Sequence, residues 1–261
     1  ILYYFEEIGL IVLVILVGYV LTKNYFLHKE RRIKEVEEEE LEMIESKSIK
    51  GVIFESSKNI TKFSKRVNKI FYKTFEGLAS KDISTLKDNQ STVSKLDKDV
   101  DLIANNVFYF IKNLDEASKE SASDFHMKIL GGLENITLSM QTISKAIYKH
   151  FNNNHRGLTF NQLREIKDLE DDMNDFFRQI IQIFENQNYE EIKTIFSVKE
   201  SVIRSLENKI KSQVSRTKDK DSGPRNTRLY FEFLNKTKSI VSEYLKILEL
   251  YSDKYDKKIK E

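Results

Sequence analysis

Four histidines, His28, His126, His150 and His155, are the natural candidates for a transition-metal site in this chain. Their spacing argues against one, because a zinc pair on a helix wants a second His four residues along. His150 and His155 flank a connection and could converge there, but loop or interface histidines are the expectation. Asp168, Glu170, Asp171, Asp172 and Asp175 form an acidic stretch. Asp168 and Asp172 share a helix face, as do Asp171 and Asp175, which is the spacing a divalent cation needs. Arg164 and Lys167 stand beside them, so a solvated, ion-paired face is expected instead.

Basic residues gather near the last connection: Lys209, Lys211, Arg216, Lys218, Lys220, Arg225 and Arg228. Asp219 and Asp221 dilute the patch. Arg225, Asn226 and Arg228 open a helix, where unpaired backbone N–H groups favour anions. These three are the candidate anion contacts. The chain has no Cys, which excludes thiolate metal sites, cysteine nucleophiles and disulfides. It has no Gly-rich phosphate loop and no nucleophile elbow. Paired carboxylates can be found anywhere in so acidic a sequence, so they do not argue for acid–base catalysis. No catalytic residue, metal or cofactor is assigned, and an enzyme is not expected.

The elements that must carry these residues are helices. The 261 residues include one Pro, eight Gly and no Trp, with 32% charged. Few helix breakers and abundant Lys, Glu, Leu and Ile favour an all-α chain. The 17 Phe and 12 Tyr supply apolar bulk for a core. With 43 basic and 41 acidic residues, net charge gives no pull towards nucleic acid.

Apolar residues recur three and four apart in six segments. They cover about residues 48–79, 83–114, 122–151, 160–187, 189–215 and 224 onwards. Lys81-Asp82 breaks the first from the second. Thr159 is the expected N-cap of the fourth, Pro224 suits the first turn of the sixth, and Gly157 is the expected left-handed turn residue. The sixth stripe ends at Tyr251, leaving Lys254 to Glu261 as a polar tail. Val214 is read as a core position. The second and fifth segments align at an offset of 106, pairing Asp82 with Asn188, Leu86 with Ile192, Leu96 with Val202, Val100 with Leu206 and Phe108 with Val214. Long helices with short connections form antiparallel bundles.

Before the bundle, IGLIVLVILVGYVL (8–21) carries no charge. With its aromatic flanks it approaches the ~20 residues that cross a hydrocarbon core. Lys23, Lys29, Arg31, Arg32 and Lys34 follow it as a membrane-interface basic cluster, which marks the cytoplasmic side. A signal peptide would carry its cations first. A buried soluble helix is the other alternative. The glutamate-rich stretch 35–45 reads as a solvated helix leaving the membrane. The organisation is therefore a transmembrane helix (1–27), a charged helical linker (28–47), a first three-helix repeat (48–157) and a second (158–261). The chain starts at Ile1, close to the apolar run, which suggests a piece of a longer protein.

The stretches HFNNNHRGLTFNQLREIKDL (150–169) and GPRNTRLYFEFLNKTKSIVSEYL (223–245) resemble the PhoU-like cytoplasmic region of bacterial PiT-type inorganic phosphate transporters. The apolar run followed by YFLHKERR (25–32) resembles their last transmembrane helix. That resemblance implies two three-helix repeats acting as a regulatory domain on a cation-coupled phosphate permease of the plasma (inner) membrane. It implies the membrane and upstream transporter helices of the same polypeptide as partners, with a signalling protein and self-association left open. PhoU proteins bind metal clusters through Glu-x-x-x-Asp pairs. Here Glu134 is followed by Leu138 where the Asp should be, and the second repeat has Asn235 and Ser239, so the resemblance predicts no metal. A membrane-tethered scaffold unrelated to transport is the alternative.

Overall fold

A computed structural model describes residues 49–218 and 223–258 of this chain. The apolar run 8–21, the cluster Lys23, Lys29, Arg31, Arg32 and Lys34, and the linker 28–47 lie outside the described residues. Among those described, no helix is long and apolar enough to cross a membrane.

Among the described residues seven α-helices follow one another: α1 (Ile49–Ser80), α2 (Ile83–Val93), α3 (Leu96–Lys112), α4 (Glu116–Asn152), α5 (Phe160–Asn186), α6 (Ile192–Lys218) and α7 (Pro224–Lys258). A 3₁₀ turn, Tyr189–Glu191, precedes α6. The expected second helix is thus two. Thr92 and Ser94 turn their hydroxyls back onto the Asp88 and Gln90 carbonyls, and the Lys95 N–H bonds Thr92, three residues back. Such back-bonding competes with the helical ladder and bends it.

Other starts and stops follow their local chemistry. Asp82 caps α2 through the Ser84 N–H, and Asp115 caps α4 through the Ser118 N–H. The helix α4 therefore begins six residues before the expected Ala122. Thr159 caps α5, as expected, and with Gln162 it completes a capping box. The left-handed position after α4 is Asn154, φ 55°, and not Gly157. Asparagine tolerates that region. Gly157 answers a different need: a Cβ there would stand 2.4 Å from the Lys81 Cε. At the other end, α7 continues through Lys254, which reaches Ser121 of α4 at 2.6 Å, so the expected polar tail is in part packed helix.

Helix α1 packs antiparallel on α5, and α4 packs antiparallel on α7. Helices α2 and α3 lie against α1 and α4, while α6 lies against α5 and α7. One large apolar core runs through all seven helices. A smaller cluster of Val52, Val107, Ile111, Leu114 and Ala122 closes the end where α1 begins and α3 meets α4.

The 106-residue register extends beyond the segments in which it is visible. Asn68 on α1 hydrogen-bonds Asn174 on α5, its own counterpart at that offset. One turn on, the rings of Phe71 and its counterpart Phe177 lie 6.2 Å apart. Counterparts that touch each other lie on a local two-fold axis, here the crossing of α1 with α5. Off the axis, Arg66–Asp99 and its counterpart pair Asp172–Ser205 both make side-chain contacts. Lys81 and its counterpart Gln187, with φ of 57° and 53°, both turn left-handed after their helices.

Candidate functional site

At the end of the bundle away from Ile49, the α4–α5 connection meets the start of α7. The C-terminus of α4 closes as a Schellman motif. The His155 N–H donates to the His150 carbonyl at 3.2 Å, and the Asn154 N–H to the Phe151 carbonyl at 2.9 Å. That closure carries His155 back over His150, with ring centroids 5.2 Å apart. The two histidines that the sequence left flanking a loop therefore converge. His150 is only 6% exposed and donates Nε2–H to the Arg156 carbonyl at 2.7 Å.

The helix α7 approaches from the other side. Pro224 opens it, and proline's fixed φ and missing N–H suit that position. Asn226 donates its amide to the Gly157 carbonyl at 2.7 Å, tying the helix start to the α4–α5 connection. Arg225 Nη1 lies 3.2 Å from His155 Nδ1. Guanidinium only donates, so this nitrogen accepts and His155 is neutral. Partial burial, followed by Arg225 and His150, lowers the His155 pKa below the ordinary histidine value.

Between these elements lies a cavity of about 230 Å³, lined by Lys149, His150, His155, Arg225, Arg228 and Glu232 together with Ala146, Asn153 and Leu229. Three permanent cations thus face one carboxylate. Two of the three sequence-derived anion contacts, Arg225 and Arg228, line it. The third, Asn226, serves as the tie to Gly157. Lys149 was not among the candidates, although its place beside His150 in the last turn of α4 could have marked it.

Of the rest of the expected basic patch, the Lys218 side chain and Lys220, with Asp219 and Asp221, lie outside the described residues, and Lys209 and Arg216 bond elsewhere. Lys209 donates to Ser205, and Arg216 turns inward to grip Glu165 through two bonds of 2.8 Å. Arg216 also donates to Gln213, Gln213 links Gln162 to Thr227, and the Tyr230 hydroxyl donates to Glu165. Three polar pairs at three-residue spacing therefore interlock: Gln162 with Glu165, Gln213 with Arg216, and Thr227 with Tyr230. Burial opposes the Glu165 carboxylate, but the bonds from Arg216 and Tyr230 outweigh it and hold its pKa below the ordinary value. Burial, then Glu165, pushes the Tyr230 pKa up. At the counterpart of Gln213 the first half has Val107, in the smaller apolar cluster. The network belongs to the second half alone and fixes the first turns of α7.

Three of the five residues in the acidic stretch on α5 are ion-paired. Lys167 bridges Glu170 and Asp171, Asp175 meets Arg178, and Asp172 meets Ser205. Among the described residues no three His, Asp or Glu side chains converge as a ligand set. At the place where PhoU-type pairs would supply an Asp, Leu138 is 58% exposed and brings no donor atom. The residues present do not fit that metal cluster.

No protein-family profile and no curated protein matches the chain. The fold is similar to the crystal structure of the phosphate transport system regulatory protein PhoU from Streptococcus pneumoniae, with a TM-score of 0.63 at 15% identity. The match covers 78% of this chain and 95% of that one. The bundle is thus an all-α, PhoU-like fold.

Proposed function

We propose that this chain is a regulatory module of phosphate transport that works by contact rather than catalysis. The observation that carries the reading is the PhoU-like fold, matched over nearly the whole length of a phosphate-transport regulator. The sequence supports a finer reading, in which residues 1–27 form the last transmembrane helix of a PiT-type permease. The bundle then hangs in the cytoplasm from the inner membrane, with the cations from Lys23 to Lys34 on that side. A domain that prefers one transporter conformation shifts the equilibrium by its differential affinity for the two.

Phosphate uptake by cells carrying the intact protein, compared with a variant lacking residues 49–258, tests this reading. Regulation predicts that the deletion changes how uptake responds to phosphate-rich and phosphate-poor growth. Identical uptake in both media would leave a membrane-tethered scaffold as the better account.

A further inference from the structure

The cavity beside α7 has three properties that a structural role does not require. Its cations are in excess, with Lys149, Arg225 and Arg228 set against Glu232. Neither Lys149 nor Arg228 has an ion pair or hydrogen bond with another described residue, although Glu232 lies one turn from Arg228. His150, though nearly buried, lines the space and bonds protein through Nε2 alone, so its Nδ1 has no protein partner among the described residues. Surface cations usually relax towards carboxylates or spread apart. Here the α4–α5 connection and the Asn226–Gly157 tie hold three of them around one hollow.

The shape suits a tetrahedral oxyanion. About 230 Å³ takes a group of that size with several waters, since each water occupies ~30 Å³ of liquid. Two arginines offer planar donor forks that match phosphate oxygens. The first-turn N–H groups of α7 add a favourable field. We propose that this cavity binds a phosphate group, either as free inorganic phosphate or as the monoester headgroup of a lipid. The inference takes its physiological sense from the regulatory reading, as the sensing site of that module. The cavity lies at the opposite end of α1 from Ile49, about 48 Å along a 32-residue helix, which favours the free ion if residues 1–48 lead to the membrane.

The test uses the purified 261-residue chain. Inorganic phosphate is titrated by calorimetry, and flotation is measured with phosphatidylcholine vesicles with and without phosphatidic acid. Arg228→Gln and Lys149→Gln remove cations that hold nothing in the fold. Lys73→Gln, an exposed position on α1 away from the cavity, makes the same change in net charge. Arg228→Gln and Lys149→Gln should each weaken phosphate binding by about tenfold or more, with thermal unfolding unchanged, while Lys73→Gln binds as the parent does. The same pattern confined to phosphatidic acid vesicles would assign the headgroup as the source. No binding in either arm, or equal losses in all three variants, would overturn the proposal. Uptake regulation that survives Arg228→Gln but not removal of residues 49–258 would sink the sensing site and leave the regulatory reading standing. Phosphate bound in the cavity, with uptake indifferent to the deletion, would do the reverse.

Discussion

Asn68 on α1 donates its side-chain amide to the side-chain oxygen of Asn174 on α5 at 3.2 Å, and each residue is the other's counterpart at an offset of 106. The contact marks the axis about which the two halves pack. It lies at the surface, whereas Phe71 and Phe177 lie on the same axis within the core. The stabilising work at the crossing should fall to the rings. Asn68→Ala should cost well under about 1 kcal/mol, and Phe71→Ala about 3–5 kcal/mol. The double variant Phe71→Ala/Phe177→Ala should cost about 0.5–1.5 kcal/mol less than the sum of the singles. Urea unfolding of the parent and the four variants, Phe177→Ala among them, measures all three values. Additive losses would mean that the rings do not couple across the axis.

Gly77 and Gly157 are both crowded, yet substitution should separate them. A Cβ at Gly77 would meet the Leu86 Cγ at 2.9 Å and Cδ2 at 2.7 Å, inside the joint between α1 and α2. Leu86 is buried and cannot withdraw freely. Gly77→Ala should therefore destabilise by about 1–3 kcal/mol, and Leu86→Val should recover part of the loss. At Gly157 the obstacle is the end of the Lys81 side chain, which can swing aside. Gly157→Ala should change the urea midpoint by an amount worth roughly 0.5 kcal/mol or less. Equal losses at the two positions would show that Lys81 is fixed.

The Lys81-Asp82 break, the Thr159 N-cap and the 106 register were legible because each is a local pattern. The interruption at Ser94–Lys95 was not, since Thr92 and Ser94 are ordinary residues of a helix surface until their hydroxyls turn inward. Val214 was expected in the core, yet it is 45% exposed. The adjacent Gln213 takes the buried position instead, so the inward face lies one residue off the expected stripe, a phase that periodicity alone does not fix. The cavity was half legible. Arg225 and Arg228 follow from the helix start, but their meeting with His150 depends on the Schellman turn at Asn154. Sequence spacing suggests such a meeting without fixing it.

Glu165 links α5, α6 and α7 through Arg216 and Tyr230, and the pair is mostly sheltered from solvent. Glu165→Gln leaves Arg216 without its counter-ion and should lower stability by about 1–3 kcal/mol. The native carboxyl has a pKa below its ordinary value, so it binds fewer protons folded than unfolded. Its contribution is complete above the unfolded pKa and is lost as pH falls through the folded one. The difference between parent and Glu165→Gln should therefore shrink below about pH 4.3, the unfolded value. Urea midpoints measured in steps across that range would reveal a constant difference if the ion pair contributes nothing.

His126 is 4% exposed on α4, and neither ring nitrogen has a hydrogen-bond partner of normal geometry. Burial lowers its pKa to about 4, against a weak opposing pull from the Ala104 backbone. The folded state therefore resists protonating it. Stability is complete above about pH 6.5, the unfolded value, and falls as pH drops towards 4, by roughly 3 kcal/mol for this one group. His126→Leu should flatten that part of the stability profile. An unchanged slope between about pH 6.5 and pH 4.5 would assign the loss to other groups.

The cavity's histidines supply a prediction that separates them from mere neighbours of the arginines. His155 is held neutral by burial, then by Arg225 and His150. An anion among Lys149, Arg225 and Arg228 opposes the field of those cations, so the bound state favours imidazolium. Binding must then take up protons, and affinity must rise as pH falls. Phosphate confuses the measurement because it titrates in the same range, whereas sulfate keeps its charge. Sulfate affinity should increase between about pH 8 and pH 5.5, by up to about tenfold for each unit by which the anion raises a histidine pKa. Most of that rise should disappear in His155→Gln, while the affinity at pH 8 should change little because the cations remain. Calorimetry in two buffers of different ionisation enthalpy reads the proton uptake directly. A pH-independent affinity with no proton uptake would show that the anion sits on the arginines away from both imidazoles.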